Sequence, residues 1–204
     1  MAEFDKGVPQ ELNQSFARYD QQITINNIQL GCLLGMILMP AGVVLDFFTY
    51  PESPEVIWAF FQLRVWCSIL IGIFWLFVRT DFGRKQYRTL GITLALIPAL
   101  FISLMIAREE GAASHYYAGL NLVLLVVGFI LHWTLRQSII ATLTVLGMYL
   151  AACYWENPVF LDAGQKGHRT DFANNIYFLV LTGIIVVAGS GYHYRLRFRE
   201  YALL

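Results

Sequence analysis

The chain has 204 residues, 57% of them hydrophobic and only 14% charged, and its fourteen basic and fourteen acidic side chains cancel to a net charge of zero. Such a composition belongs to a polytopic membrane protein and excludes an ordinary water-soluble domain; without a basic excess, nucleic acid is not an expected partner. The three cysteines, Cys32, Cys67 and Cys153, fall in apolar runs with no CxxC spacing, so neither a disulfide framework nor a thiol metal site is expected.

The first twenty residues carry Glu3, Asp5, Lys6, Glu11, Arg18 and Asp20 and no apolar h-region, so no cleavable signal peptide is expected. Leu12, Phe16 and Tyr19 recur at helical spacing, which predicts a cytoplasmic amphipathic segment over residues 1–25. Six apolar runs follow, near Asn26–Phe48, Ile57–Val78, Arg88–Ile106, His115–Thr134, Ser138–Trp155 and Asn174–Tyr194. Each approaches the roughly 20 residues that cross a hydrocarbon core. The expected fold is an all-α bundle of six transmembrane helices over 26–194, followed by the start of a cytoplasmic signalling helix over 195–204. With six crossings, ten of the fourteen basic residues fall on one side, Lys6, Arg18, Arg79, Arg84, Lys85, Arg88 and Arg136 among them. Both termini are therefore expected in the cytoplasm and the chain in a bacterial inner membrane.

An ionisable side chain inside a span costs about 2.5–3.5 kcal/mol unless it is paired or faces a cavity. Arg64 is the foremost case, roughly 10 Å into the second span at 1.5 Å per residue. Asp46, near the end of the first span, is its reachable partner across the hairpin. Gly31, Gly35, Gly42 and Asp46 share one stripe, and Arg64, Ser68 and Gly72 another, so the two helices are expected to pack closely with both charges turned inward. The pair is read either as a packing salt bridge or as part of a ligand site.

The fourth span opens with Ser114-His115-Tyr116-Tyr117-Ala118-Gly119-Leu120-Asn121, where Tyr117 and Asn121 must face the same way. At the same level lie Asn174, Asn175 and Tyr177 in the sixth span and Tyr154 and Trp155 in the fifth. Tyr116, Tyr154 and Trp155 taken singly are aromatic-belt residues, whereas asparagine has no place in that belt. The expected ligand site in the outer half thus gathers Asp46, Arg64, His115, Tyr116, Tyr117, Asn121, Tyr154, Asn174, Asn175 and Tyr177 around a small amphiphile with a hydroxyl or carbonyl group. His132 and His193 stand at the cytoplasmic ends of their helices and are the pair that a membrane haem alternative requires, although no cofactor is expected. HExxH, GxSxG, Walker A and a late-helix lysine are all absent, so catalysis by this chain is not expected. A small transporter and a ligand-free dimerising anchor remain as alternatives.

The sixth span runs into Tyr192-His193-Tyr194-Arg195-Leu196-Arg197-Phe198-Arg199-Glu200 with no stop signal, which predicts a helix continuing toward an output domain. Gly183, Ala188, Gly189, Ser190 and Gly191 permit close, slidable packing, so Gly189, His193 and Arg195 are the expected transmission residues. Asn26-Asn27, the Gly42 to Asp46 stretch, Arg64, the YYAGLN run and the Arg195–Glu200 exit together resemble the six-helix membrane sensor domains of bacterial histidine kinases and class III adenylate cyclases, including receptors for α-hydroxyketone quorum-sensing signals. The resemblance implies a homodimer, a small amphiphilic or membrane-derived signal, and a kinase or cyclase output beyond this chain.

Overall fold

The computed structural model describes residues 10–108, 111–131, 133–156 and 166–202. These residues form α1 (Gln10–Ala41), α2 (Val43–Thr49), α3 (Pro54–Val78), α4 (Asp81–Lys85), α5 (Tyr87–Arg108), α6 (Tyr117–Leu131), α7 (Leu135–Glu156) and α8 (Lys166–Ala202), and no strand occurs among them. Five helices are long and apolar enough to cross a membrane, the cores of α1 with α2, α3, α5, α7 and α8; α6 is apolar but only 15 residues long. That length gives α6 about 22 Å, short of a hydrocarbon core of about 30 Å. The bundle is thus an all-helical membrane assembly.

The chain reverses where its turn residues place it. Pro54 occupies the first turn of α3, where a missing N–H costs nothing. The Thr80 hydroxyl caps α4 by accepting from the Gly83 N–H at 3.1 Å, and the Gln137 side chain accepts from the Thr134 N–H at 2.9 Å as α7 begins. Gly111 holds φ at 53°, a left-handed turn open to glycine, and sends the chain from α5 into a single 3₁₀ turn at Gly111–Ala113. No such signal interrupts the stretch before the first span, and α1 runs unbroken from Gln10 to Ala41. Residues 10–25 of the expected amphipathic segment are helical and belong to α1.

Helix α5 is the hub, touching α1, α3, α6 and α7, while α8 closes the far side against α6 and α7. In α5 56% of the apolar window is buried, against 17–33% in the other four long helices, so those four leave most of their surface to lipid. Exposed Ile37, Leu45, Phe48, Trp66, Ile73, Leu143 and Ile184 fit that environment. Cys32, Cys67 and Cys153 are all fully buried, which makes them core residues.

The small residues of the first two spans lie at close helix contacts, Gly35 and Gly72 across the hairpin and Gly31 against α5. A Cβ on Gly35 would lie 3.0 Å from Ile71, one on Gly72 would lie 3.5 Å from Met36, and one on Gly31 would meet Leu94 of α5 at 2.8 Å. Close packing here is therefore set by absent side chains.

Candidate functional site

Pro40 begins the site. Lacking an N–H, it leaves the Met36 carbonyl without its normal helical donor, and the Ser68 hydroxyl of α3 supplies one at 3.3 Å. The helix then breaks at Gly42, between α1 and α2, and the Met39 carbonyl at the break accepts from Arg64 Nη1 at 3.3 Å as well as from the Gly42 N–H. Any Cβ at Gly42 would collide with the Arg64 guanidinium, so the glycine is what admits the cation to the break.

The expected partnership of Asp46 and Arg64 is present and bidentate. Nε donates to Oδ2 at 2.8 Å and Nη2 to Oδ1 at 2.7 Å, with Asp46 fully buried and Arg64 6% exposed. This fork geometry is the strongest form of ion pair, and burial removes competing water. A third group joins it: the Tyr116 hydroxyl donates to Asp46 Oδ1 at 2.6 Å. The Tyr116 ring lies 5.9 Å from the guanidinium carbon, stacks on Tyr50 and meets Phe60 edge-on at 5.2 Å. Tyr50 and Phe60 wall the cluster, a role that their sequence positions do not signal.

A second polar cluster lies where α8 meets the turn after α5. Asn175, 4% exposed, donates through Nδ2 to the Ala112 carbonyl at 2.9 Å. Beside it Tyr149 is fully buried and stacks on Phe172; its hydroxyl lies next to Cys153 and Asn175 without completing a hydrogen bond, and Tyr117 is also close. The Asn121 Oδ1 and Ser103 hydroxyl are buried without partners. Unpaired buried groups of this kind cost about 1–3 kcal/mol each, so Tyr149, Asn121 and Ser103 each keep spare hydrogen-bonding capacity.

The segment between these clusters connects them. The Ser114 hydroxyl accepts from the Tyr116 N–H at 3.3 Å, and Ser114 is itself 1% exposed. Residues 112–116 thus hold Tyr116 on Asp46 at one end and offer Ala112 to Asn175 at the other.

The ten expected site residues therefore divide. Asp46, Arg64 and Tyr116 form one cluster; Asn175 anchors a second, with Tyr117 beside it; Asn121 faces inward with its oxygen unpaired. His115 and Asn174 are exposed, as are Tyr154 (65%) and Tyr177 (63%), which places these four outside any interior lining. Neighbours on one helix turn point in different directions, which is why adjacent Asn174 and Asn175 part company. Of the small residues of α8 expected to pack closely, Gly183 does so, since an added Cβ there would strike Thr142 of α7, whereas one at the transmission residue Gly189 has nothing within 4 Å. His193 meets the Phe129 and Tyr192 rings at 6.0 and 6.2 Å. His132 lies outside the described residues, as does the Arg195 side chain. Among the described residues no three His, Cys, Asp or Glu gather as a metal site.

With that geometry in view, residues 44–204 match MASE8, a membrane-associated sensor domain family, and the chain belongs to it. The matched stretch begins just before Asp46 and includes Asp46, Arg64, Tyr116, Tyr149 and Asn175, while Met39, Pro40 and Gly42 at the helix break precede it. Comparison with curated proteins and with solved structures found no match.

Proposed function

We propose that this membrane sensor domain detects a small amphiphile bearing a hydroxyl or carbonyl group at the Asp46–Arg64–Tyr116 cluster and passes its occupancy to α8 through residues 112–116. The observation that carries this reading is that the short segment 112–116 is held at both ends, by the Tyr116 hydroxyl on Asp46 and by Asn175 on the Ala112 carbonyl, with the Tyr116 N–H on Ser114 between them. A ligand hydroxyl competes with the Tyr116 hydroxyl for Asp46, and a ligand carbonyl competes with the Met39 carbonyl for Arg64 Nη1, whose 3.3 Å contact is the weakest that the guanidinium makes. Release of Tyr116 loosens the turn that holds Asn175. Helix α8 is a single element of 37 residues reaching Ala202, so a shift at Asn175 is carried along its length. The ligand biases the two states only by its difference in affinity for them.

In the full reading, six crossings leave both termini in the cytoplasm of a bacterium, two copies pair, and α8 leads into a histidine kinase or cyclase output. The experiment is a double-mutant cycle on an output module fused after Leu204, with Tyr116→Phe and Asn175→Leu made singly and together. If the turn couples the two clusters, each single change alters basal output and the pair is non-additive by roughly 0.5–3 kcal/mol of switching free energy. Strict additivity, or output indifferent to Tyr116, removes the route and leaves a dimerising anchor as the better description.

A further inference from the structure

A second site lies at the opposite end of the bundle, where basic residues gather. Asp20 and Thr24 of α1, Tyr87, Arg88 and Gly91 of α5, Leu131 of α6, and the Trp133–Gln137 corner that opens α7 enclose a cleft of about 10 Å³, room for one oxygen-sized atom. Tyr87, Arg88, Leu131 and Gln137 sit in the first or last turns of their helices, Gly91 follows one turn into α5, and Asp20 and Thr24 lie near the start of the part of α1 apolar enough to span a membrane. The Trp133 side chain is 2% exposed, yet its indole N–H is buried without an acceptor. That nitrogen stands over Gly91, where an added Cβ would lie 3.5 Å from it. Arg88 is exposed at the same place and lines the cleft, its Nε donating to the Tyr87 hydroxyl at 3.0 Å. Gln137 Oε1 takes both the Thr134 N–H and its hydroxyl, and the Arg88 carbonyl takes the Gln137 Nε2 donor, so neither of these oxygens serves the indole.

We infer that this cleft binds one phosphate oxygen of a membrane phospholipid, which accepts from the Trp133 N–H and from the Arg88 guanidinium while the remainder of the headgroup stays at the surface. An orphan indole donor beside an arginine calls for an acceptor, and negative charge on it is favoured because such hydrogen bonds are about twice as strong as neutral ones. Asp20 is the one carboxylate among the lining residues, and exposed Arg18, Arg84, Lys85 and Arg136 stand at the same end of the bundle. Their field concentrates anionic headgroups there. Bound in this way, a lipid staples α1 and α5 to the corner between α6 and α7.

The test uses the full chain purified in mild detergent, with native mass spectrometry reading retention of phosphatidylglycerol, of the matching diacylglycerol, and of inorganic phosphate. Wild type is expected to retain phosphatidylglycerol and neither of the other two. Trp133→Phe removes the N–H but keeps a ring, and Gly91→Ala fills the space beside it; each is expected to lower retention roughly ten-fold, as is Arg88→Gln, the loss of one charge-assisted bond. Arg88 is a surface residue, so its variant stays informative if a change at buried Trp133 impairs folding. Unchanged retention in Arg88→Gln and Gly91→Ala overturns the inference and leaves a water on the indole. Equal retention of diacylglycerol, or displacement of the lipid by inorganic phosphate, overturns the phospholipid assignment.

Discussion

Replacing Asp46 with alanine tests the polar core directly. The carboxylate accepts three short hydrogen bonds, two from Arg64 at 2.7 and 2.8 Å and one from Tyr116 at 2.6 Å. Its removal leaves the buried guanidinium with one 3.3 Å contact to the Met39 carbonyl and leaves the Tyr116 hydroxyl without an acceptor. Breaking a buried pair from one side costs about 3–5 kcal/mol, whereas replacing both charges by apolar groups of similar volume is often nearly neutral. At about 2–4 °C per kcal/mol for a chain of this size, Asp46→Ala is expected to lower the melting temperature by roughly 6–20 °C. The double variant Asp46→Leu with Arg64→Met is expected to recover most of that loss, because no charge is then left to desolvate. The assay is thermal unfolding in detergent, followed by circular dichroism for all three variants and wild type. A melting temperature for Asp46→Ala equal to that of wild type would refute the argument, as would a double variant no more stable than the single one.

Gly42→Ala is expected to cost about 1–3 kcal/mol, since the new methyl group must push the guanidinium from the helix break, and the loss should shrink in an Arg64→Met background; chemical denaturation of the two pairs checks it. Gly183→Leu should destabilise the bundle because Thr142 already fills the space, while Gly189→Leu should fold with wild-type stability because nothing lies within 4 Å; yield of monodisperse protein separates the two. Any change in output by Gly189→Leu then reports on contacts outside a single bundle. The three cysteines are buried, so maleimide should label none of them in the folded protein and all three after denaturation, as counted by mass spectrometry.

The membrane class, the apolar helices and the Asp46–Arg64 partnership were all legible in the amino-acid order. An apolar run long enough to cross a bilayer has one helical solution, because lipid offers no partner for an unpaired backbone. A cation and an anion on the facing stripes of a hairpin have few ways to be satisfied except by each other. The glycine stripes carried the same information, since absent side chains are visible without coordinates. Tyr116 was harder to read: in sequence it is one of several tyrosines near helix ends, and only the path of the turn at Gly111 carries its hydroxyl to Asp46 rather than to the outside of the bundle, where Tyr154 and Tyr177 are exposed. The division of Asn174 from Asn175, and of Gly183 from Gly189, likewise depended on the rotation of α8 about its axis against α6 and α7. Helical periodicity says which residues share a face but not which way that face turns. That choice is made by the summed packing of all the neighbouring helices, a property of the assembled bundle that no single segment contains.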